Sequence, residues 1–387
     1  MMERVYIAGA GMTVFGPQPD IDVHELARRA VWGALQSSGI APQTFRQRPS
    51  MAFAGHAYQG PCFAQKTLMK LGLQGMPMVN VENACASGST AVISGAAMIS
   101  SGEAELVIAF GAEKLTRAGG GFLPIVADDL ESAMGRVMPS AFAMQAQMHM
   151  AAYGTTREQM AMVAVKNRRN GVSNPYCHFK EAVTVEQVLS APSIAEPLTR
   201  LSCCPVSDGA AAVVMASESA FRRLGLKGIE LIGHALVSGE RTPYGIVDHK
   251  SEMSIRAAKL AYERAGLGPE DVDLCEMHDP FTIAEIIHCE DLGFCQPGAG
   301  GAYTERGLSA IGGGGVAVSP SGGLMSKGHP LGATGVAQVA EMFWQLQSQA
   351  GARQVPDARI GLTHTVGGGV TKLESGASAV MLFKQAA

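Results

Sequence analysis

Ala30-Val-Trp-Gly-Ala34-Leu-Gln-Ser-Ser-Gly39-Ile40-Ala-Pro42 and Ala257-Ala-Lys-Leu-Ala261-Tyr-Glu-Arg-Ala-Gly266-Leu267-Gly-Pro269 read as one stretch written twice. Each is an apolar-periodic helix stopped by a glycine just past its last turn, with a proline soon after. A second pair joins Gly209-Ala-Ala-Ala212-Val213-Val to Gly376-Ala-Ser-Ala379-Val380-Met, each a short apolar strand. The helices stand 227 positions apart (30 to 257) and the strands 167 (209 to 376), so the first half carries about 60 extra residues between them.

Strand-like runs at 4–8, 106–110, 210–215, 229–234, 274–278, 360–364 and 379–383 alternate with helices in both halves. Asp20 or Asp22 is placed to cap a helix whose Val23, Leu26, Ala27, Ala30, Val31, Ala34 and Leu35 share one face. The pattern predicts a duplicated α/β chain whose chemistry lies between the two units, at strand and helix ends. The expected division is 1–116 with 202–226 as the first half, 117–201 as an inserted loop subdomain, and 227–387 as the second half. The insertion holds the Met-rich stretch 134–162, which reads as helix packing or a malleable substrate wall. Its basic run, Lys166 to Arg169, reads as a solvated helix end or a phosphate attractor.

The chain has 387 residues, 47% apolar and 17% charged, with 47 glycines, which suits a compact enzyme with many tight turns. A net charge of −4 supplies no global field for nucleic acid or an anionic membrane. The uncharged stretch from Asn83 to Gly102 is too rich in Gly, Ala and Ser for a membrane span and reads as a buried helix. With no leader or targeting tripeptide visible, a cytoplasmic location is expected. The eight cysteines are scattered and read as reduced thiols. Cys289 and Cys295 near His288 lack zinc-site spacing, so no metal is expected.

Cys85 sits in Asn83-Ala84-Cys85-Ala86-Ser87-Gly88-Ser89, directly before that buried helix. Unpaired N–H groups at a helix start favour a thiolate there. His329, in Lys327-Gly328-His329-Pro330, is the candidate base for a thiol nucleophile able to hold an acyl group. His278, at a strand end in Glu276-Met277-His278-Asp279-Pro280-Phe281, is placed to donate to a substrate carbonyl. Asp279 is placed to fix neighbouring backbone or cap the following helix. Gly367, Gly368 and Gly369 follow a strand, and their N–H groups are suited to an anion nest.

Taken together, these elements resemble the thiolase superfamily, and especially its sterol-carrier-protein-type members. The likeness rests on Glu276-Met-His278-Asp279-Pro-Phe281-Thr-Ile-Ala-Glu285, on Pro320 through His329 to Gly335, and on Cys204-Pro-Val-Ser-Asp208-Gly. It implies the five-layer αβαβα fold, an acyl group carried by Cys85, activation by His329, and His278 in one oxyanion hole. A second hole would join the Cys85 N–H to a glycine N–H of Gly367–Gly369. Coenzyme A is then a substrate, with no tightly bound cofactor. At least a homodimer is implied, and some members work with a small zinc-bearing OB-fold protein.

One feature departs from the family. The second, acid/base cysteine is absent: Thr365 or Pro280 stands where the two family patterns place it. His364, or a non-motif thiol such as Cys62, is the candidate replacement. The leading expectation is an acyl-CoA C-acyltransferase acting on a β-ketoacyl-CoA. A Claisen-condensing enzyme, a retro-aldol lyase and a non-catalytic acyl-CoA or lipid-binding scaffold are the alternatives.

Overall fold

A computed structural model describes residues 3–116, 123, 129–241, 249–370 and 375–386. The first half contributes strands β1 (Val5–Met12), β2 (Ser50–Gly55), β3 (Met78–Val81) and β4 (Leu106–Glu113). A small ribbon of β5 (Ser193–Ala195) and β6 (Leu198–Thr199) then precedes β7 (Gly209–Ser217). The second half contributes β8 (Ile229–Val237), β9 (Leu274–Glu276), β10 (Ala317–Val318), β11 (Ile360–Gly367) and β12 (Ala377–Gln385).

All strands except the ribbon share one ladder in the order β10-β9-β11-β12-β8-β1-β7-β4-β2-β3. Read outward from the central β8–β1 pair, the two sides are the same pattern. On each, the inner pairings are antiparallel and the outer two are parallel. The repeat seen in the sequence is therefore a repeat of topology. β1 and β8 meet through only three residue pairs, from Val5–Leu231 to Ile7–Ile229.

Both faces of each half-sheet are covered, which explains why the strands read as continuous apolar runs rather than alternating ones. In β7, Ala210, Ala212, Val214 and Ala216 pack with the outer helix Val23–Ser38. The intervening Ala211, Val213 and Met215 face a middle layer formed by helices Ser87–Ser100 and Leu331–Leu346. In β12, Ala379, Met381 and Phe383 face the same middle layer, while Val380 and Leu382 pack with the outer helix Glu252–Ala265. The result is five layers, αβαβα. Full burial of Val92 or Ile99 from the middle layer contributes about 1.5–3 kcal/mol apiece.

The two repeated helices end alike. Asp22 caps the first by accepting from His24 N, and Gly39 and Gly266 adopt the left-handed conformation past the respective last turns. β2, β3 and β10 were not expected from the sequence: β10 is two residues long, and Ser-Met-Ala-Phe-Ala-Gly in β2 has no β-branched residue. No helix among the described residues is long and apolar enough to cross a membrane.

Between β4 and β7 lie helices Met138–Tyr153, Arg157–Val172 and Val185–Ser190, with the β5–β6 ribbon. The expected start of the insertion, at 117, lies outside the described residues. Met160 is buried with Phe281 and Ile283, whereas Met134 and Met144 are 80% and 47% exposed, so the methionines serve both packing and surface. The basic run is a solvated helix end only at Arg169, which is exposed in the last turn of helix Arg157–Val172. Lys166 is buried, 2.9 Å from Glu285 and 2.6 Å from Val318 O, and Arg168 lies 3.7 Å from the centre of the Phe179 ring.

Candidate active site

Cys85 occupies a single turn, Ala84–Ala86, that runs directly into helix Ser87–Ser100. Ala84 holds the left-handed region at φ 48°, a costly conformation for a residue with a Cβ. Side chains hold it there: Glu82 accepts from Ala84 N at 2.6 Å, Ser87 Oγ donates to Ala84 O at 2.7 Å, and Asn83 N donates to Ser87 Oγ at 2.9 Å.

His329 stands just before the other middle helix, Leu331–Leu346. The two helices approach backbone to backbone. A Cβ on Gly88 would lie 2.7 Å from Gly332 O, and one on Gly335 would lie 2.4 Å from Ser89 N. Only small residues permit that distance, and it brings the two helix starts side by side. Glu113, at the end of β4, accepts from Gly332 N at 3.1 Å and from Ala57 N and Tyr58 N at 2.9 and 3.0 Å, which fixes the His329 helix to the first half.

His278 follows β9. Glu276 of that strand accepts from Ser321 N and Ser321 Oγ, at 2.9 and 2.6 Å, with Lys327 Nζ 3.4 Å away. Asp279 accepts from Leu324 N at 2.7 Å, Ser319 Oγ at 3.0 Å and Asn167 Nδ2 at 2.7 Å. It therefore fixes the loop leading to His329, and the helix Thr282–Asp291 that follows it has no side-chain cap. These buried bonds lock the two histidine-bearing segments together.

The ligand atoms of Cys85, His278 and His329 all lie within 4.8 Å of one another. The imidazoles meet nearly edge to face, at 5.2 Å and 70°. Thr334 Oγ1 donates to Pro330 O at 3.1 Å, so at 2.8 Å from His329 Nδ1 it acts as the acceptor. The network therefore assigns the ring proton to Nδ1 and leaves Nε2, buried and without a partner, as a bare lone pair. Both nitrogens of His278 are likewise buried and unpaired. Unpaired buried polar atoms are costly, and here they converge on one sulfur.

Two backbone N–H groups, of Gly368 and of Cys85 itself, stabilise the charged form of the thiol. Burial outweighs them and pushes the thiol up to about 12, although the residue keeps some solvent contact. Burial also lowers His329 to about 3 and holds His278 well below the usual histidine range. The expectation of a resting thiolate is corrected accordingly: the pair rests as thiol and neutral imidazole. Of the three loop glycines, Gly367 packs its backbone against Asn83 O and Ala86 N, Gly368 supplies the N–H, and Gly369 lies towards Met138 and Arg136 of the insertion.

His364 does not join this cluster. Alternation along β11 sends it to the outer layer, where Nε2 lies 2.9 Å from Ser254 Oγ and its ring meets His288 at 4.5 Å. The next residue, Thr365, points inward and donates to Ser89 Oγ at 2.8 Å. The expectation that His364 supplies the missing acid is overturned by this parity. Cys62 is exposed, at the residue before helix Phe63–Met69, and is also outside the cluster. Cys289 is buried in the outer apolar core. Thr334 and Glu113 escaped the sequence reading; the hydroxyl one helical turn after His329-Pro330 was the available signal for the former.

Comparison with known proteins gives a consistent result. Residues 5–219 match the family described as thiolase, N-terminal domain, and residues 247–380 match the thiolase C-terminal domain-like family. The chain is 38% identical to sterol carrier protein 2 of Oryctolagus cuniculus over 99% of its length and 72% of that protein. It is 39% identical to an acetyl-CoA acetyltransferase of Methanothermobacter thermautotrophicus, over 99% of this chain and all of that one. Among solved structures, the Ltp2-ChsH2(DUF35) aldolase superposes with a TM-score of 0.83 at 23% identity, covering 98% of each chain.

Proposed function

The chain belongs to the thiolase family and is a thiolase-type acyltransferase, and on that footing we propose that it cleaves a β-ketoacyl-CoA with coenzyme A through an acyl group carried on Cys85. The observation that carries this reading is the convergence on one sulfur of two backbone N–H groups and the bare Nε2 of His329. As the sulfur attacks the keto carbon, His329 Nε2 takes its proton. Charge passes to the carbonyl oxygen, where the N–H groups of Cys85 and Gly368 stabilise it. A resting neutral pair suits this course, because the thiolate need exist only once a carbonyl is there to receive its charge. His278 donates to the thioester oxygen of the departing enolate.

Coenzyme A is in this reading a substrate, with no cofactor held tightly. The chain works in the cytoplasm, as a homodimer or larger assembly, and divides at 116, 202 and 227 into two thiolase halves and an inserted subdomain. The aldolase neighbour carries a second component, DUF35, in its name, which supports a partner chain here, and a small zinc-bearing OB-fold protein is the partner we propose.

The test is a screen of aliphatic and aromatic β-ketoacyl-CoAs with free coenzyme A, following both thioester products, beside intact-mass detection of an acyl adduct. Two thioester products and an adduct lost in Cys85→Ala are the expected result. Cleavage of a β-hydroxyacyl-CoA to a ketone or aldehyde, with no adduct, would instead favour the retro-aldol reading that the aldolase neighbour suggests.

A further inference from the structure

Cleavage of a carbon–carbon bond next to a thioester leaves a carbanion equivalent that must be protonated, and none of Cys85, His329 and His278 is free for that task. Cys203 forms an antiparallel bridge with Phe281, and Cys204 N donates to Pro280 O at 2.8 Å. That register sets Cys204 directly opposite Pro280. Proline has no N–H to return, so the pair is joined by one bond. Opposed residues of an antiparallel pair emerge on the same face.

Neighbouring residues of such a segment point to opposite faces, and the two cysteines do. Cys203 Sγ donates to Thr199 O at 3.3 Å and packs against the apolar cluster that holds Phe281. Cys204 turns the other way. It is partly accessible, as Cys85 is, and its own backbone N–H favours the charged form of its thiol. Its charged form is disfavoured first by burial, then by Cys203, and also by Cys85 and by Asp279, the residue beside His278, so it lies within electrostatic reach of both catalytic segments.

From this register and orientation, we propose that Cys204 is the second acid/base, delivering its proton to the substrate carbon released from the Cys85 acyl group. The proposal rests on the acyl-transfer reading above. The Cys85 sulfur bonds to the keto carbon, and the C2–C3 bond breaks with its electron pair left on C2. The Cys204 S–H bond breaks as the C2–H bond forms, and the first thioester departs. The Cys204 thiolate then takes the thiol proton of incoming coenzyme A. The sulfur of coenzyme A attacks the acyl group, Cys85 leaves as thiolate, and His329 returns its proton. Burial raises the Cys204 thiol well above its ordinary range, which keeps the proton in place until carbon demands it. Run backwards, the same thiolate abstracts a proton from C2 of an acyl-CoA.

The backward step gives the test. Wild type and the variants Cys204→Ala and Cys204→Ser are each incubated with acetyl-CoA in D2O. Acylation of Cys85 is followed by intact mass with S-(4-nitrophenyl) thioacetate, whose leaving thiolate needs no proton from Cys204, and deuterium at C2 of acetyl-CoA is followed by NMR. Cys204→Ala is expected to acylate Cys85 at a near-wild-type rate yet exchange C2 hydrogen, and cleave β-ketoacyl-CoA, at least ~100-fold more slowly, the usual range for one acid/base group. Cys204→Ser, whose hydroxyl titrates far higher, is expected to be similarly slow. Exchange in Cys204→Ala within threefold of wild type overturns the proposal. So does loss of acylation together with exchange, which would make Cys204 a support for the nucleophile. If wild type neither acylates nor exchanges, the acyl-transfer reading fails and takes this one with it.

Discussion

Thr334→Val tests the tautomer on which the base depends. The substitution keeps the buried volume and removes one oxygen, the acceptor 2.8 Å from His329 Nδ1. Pro330 O loses the Thr334 hydroxyl but retains bonds from Ala333 N at 2.9 Å and Thr334 N at 3.0 Å, so the helix start is not orphaned. The ring is affected differently. With the proton on Nδ1 the variant buries an unpaired donor, costing about 1–3 kcal/mol, and the ring moves its proton to Nε2. That proton blocks the lone pair facing Cys85. At about 1.4 kcal/mol per decade, the fraction of competent tautomer falls roughly 5- to 150-fold, and acylation of Cys85 falls with it. The assay is the single-turnover rate of adduct formation from an acyl-CoA, read by intact mass, with Thr334→Ser as the control that restores the hydroxyl. Acylation in Thr334→Val within twofold of wild type would refute the assignment of the tautomer.

Cys85→Ala should lose at least ~10³-fold in turnover while its thermal unfolding is unchanged, and residual activity above roughly a tenth would exclude the covalent scheme. Gly88→Ala places a Cβ 2.7 Å from the Gly332 carbonyl oxygen, where backbone cannot yield. A loss of about 1–3 kcal/mol in denaturant midpoint analysis and a slower acylation are expected; unchanged values would mean that the helix contact is looser than described. Alkylation of Cys85 by iodoacetamide should rise continuously with pH from 6 to beyond 9, because the thiol is raised to about 12, and a plateau below pH 7 would reveal a resting thiolate. Fold stability should fall as pH drops below the ordinary histidine value. His278, His329 and His364 all titrate lower in the folded chain, so the unfolded chain takes up protons first, down to about pH 3 for His329. His329→Asn should show a shallower acid slope by calorimetry.

The repeated architecture was legible because its signal is local: a glycine past the end of an apolar-periodic helix appears twice, and each instance adopts the left-handed conformation that the argument required. Cys85, His278 and His329 were legible from their motifs, which sit at helix starts and a strand end. What local sequence does not carry is which way a residue faces in a strand buried on both sides. In β11 both His364 and Thr365 are fully buried, so no polar–apolar alternation marks the inner face. Thr334 became visible only through the direction of its own hydrogen bond, and Cys204 only through its register with a segment 76 positions on (204 to 280). Those are tertiary facts.

The nucleophile and its base each sit ahead of a middle helix, one from either repeat, in equivalent places. Each repeat thus contributes one member of the nucleophile–base pair. Catalysis becomes a gauge of alignment between halves whose strands join through a three-pair seam. A small slip at that seam would part sulfur from imidazole while leaving every helix intact. Dilute denaturant should silence the enzyme before circular dichroism registers any loss.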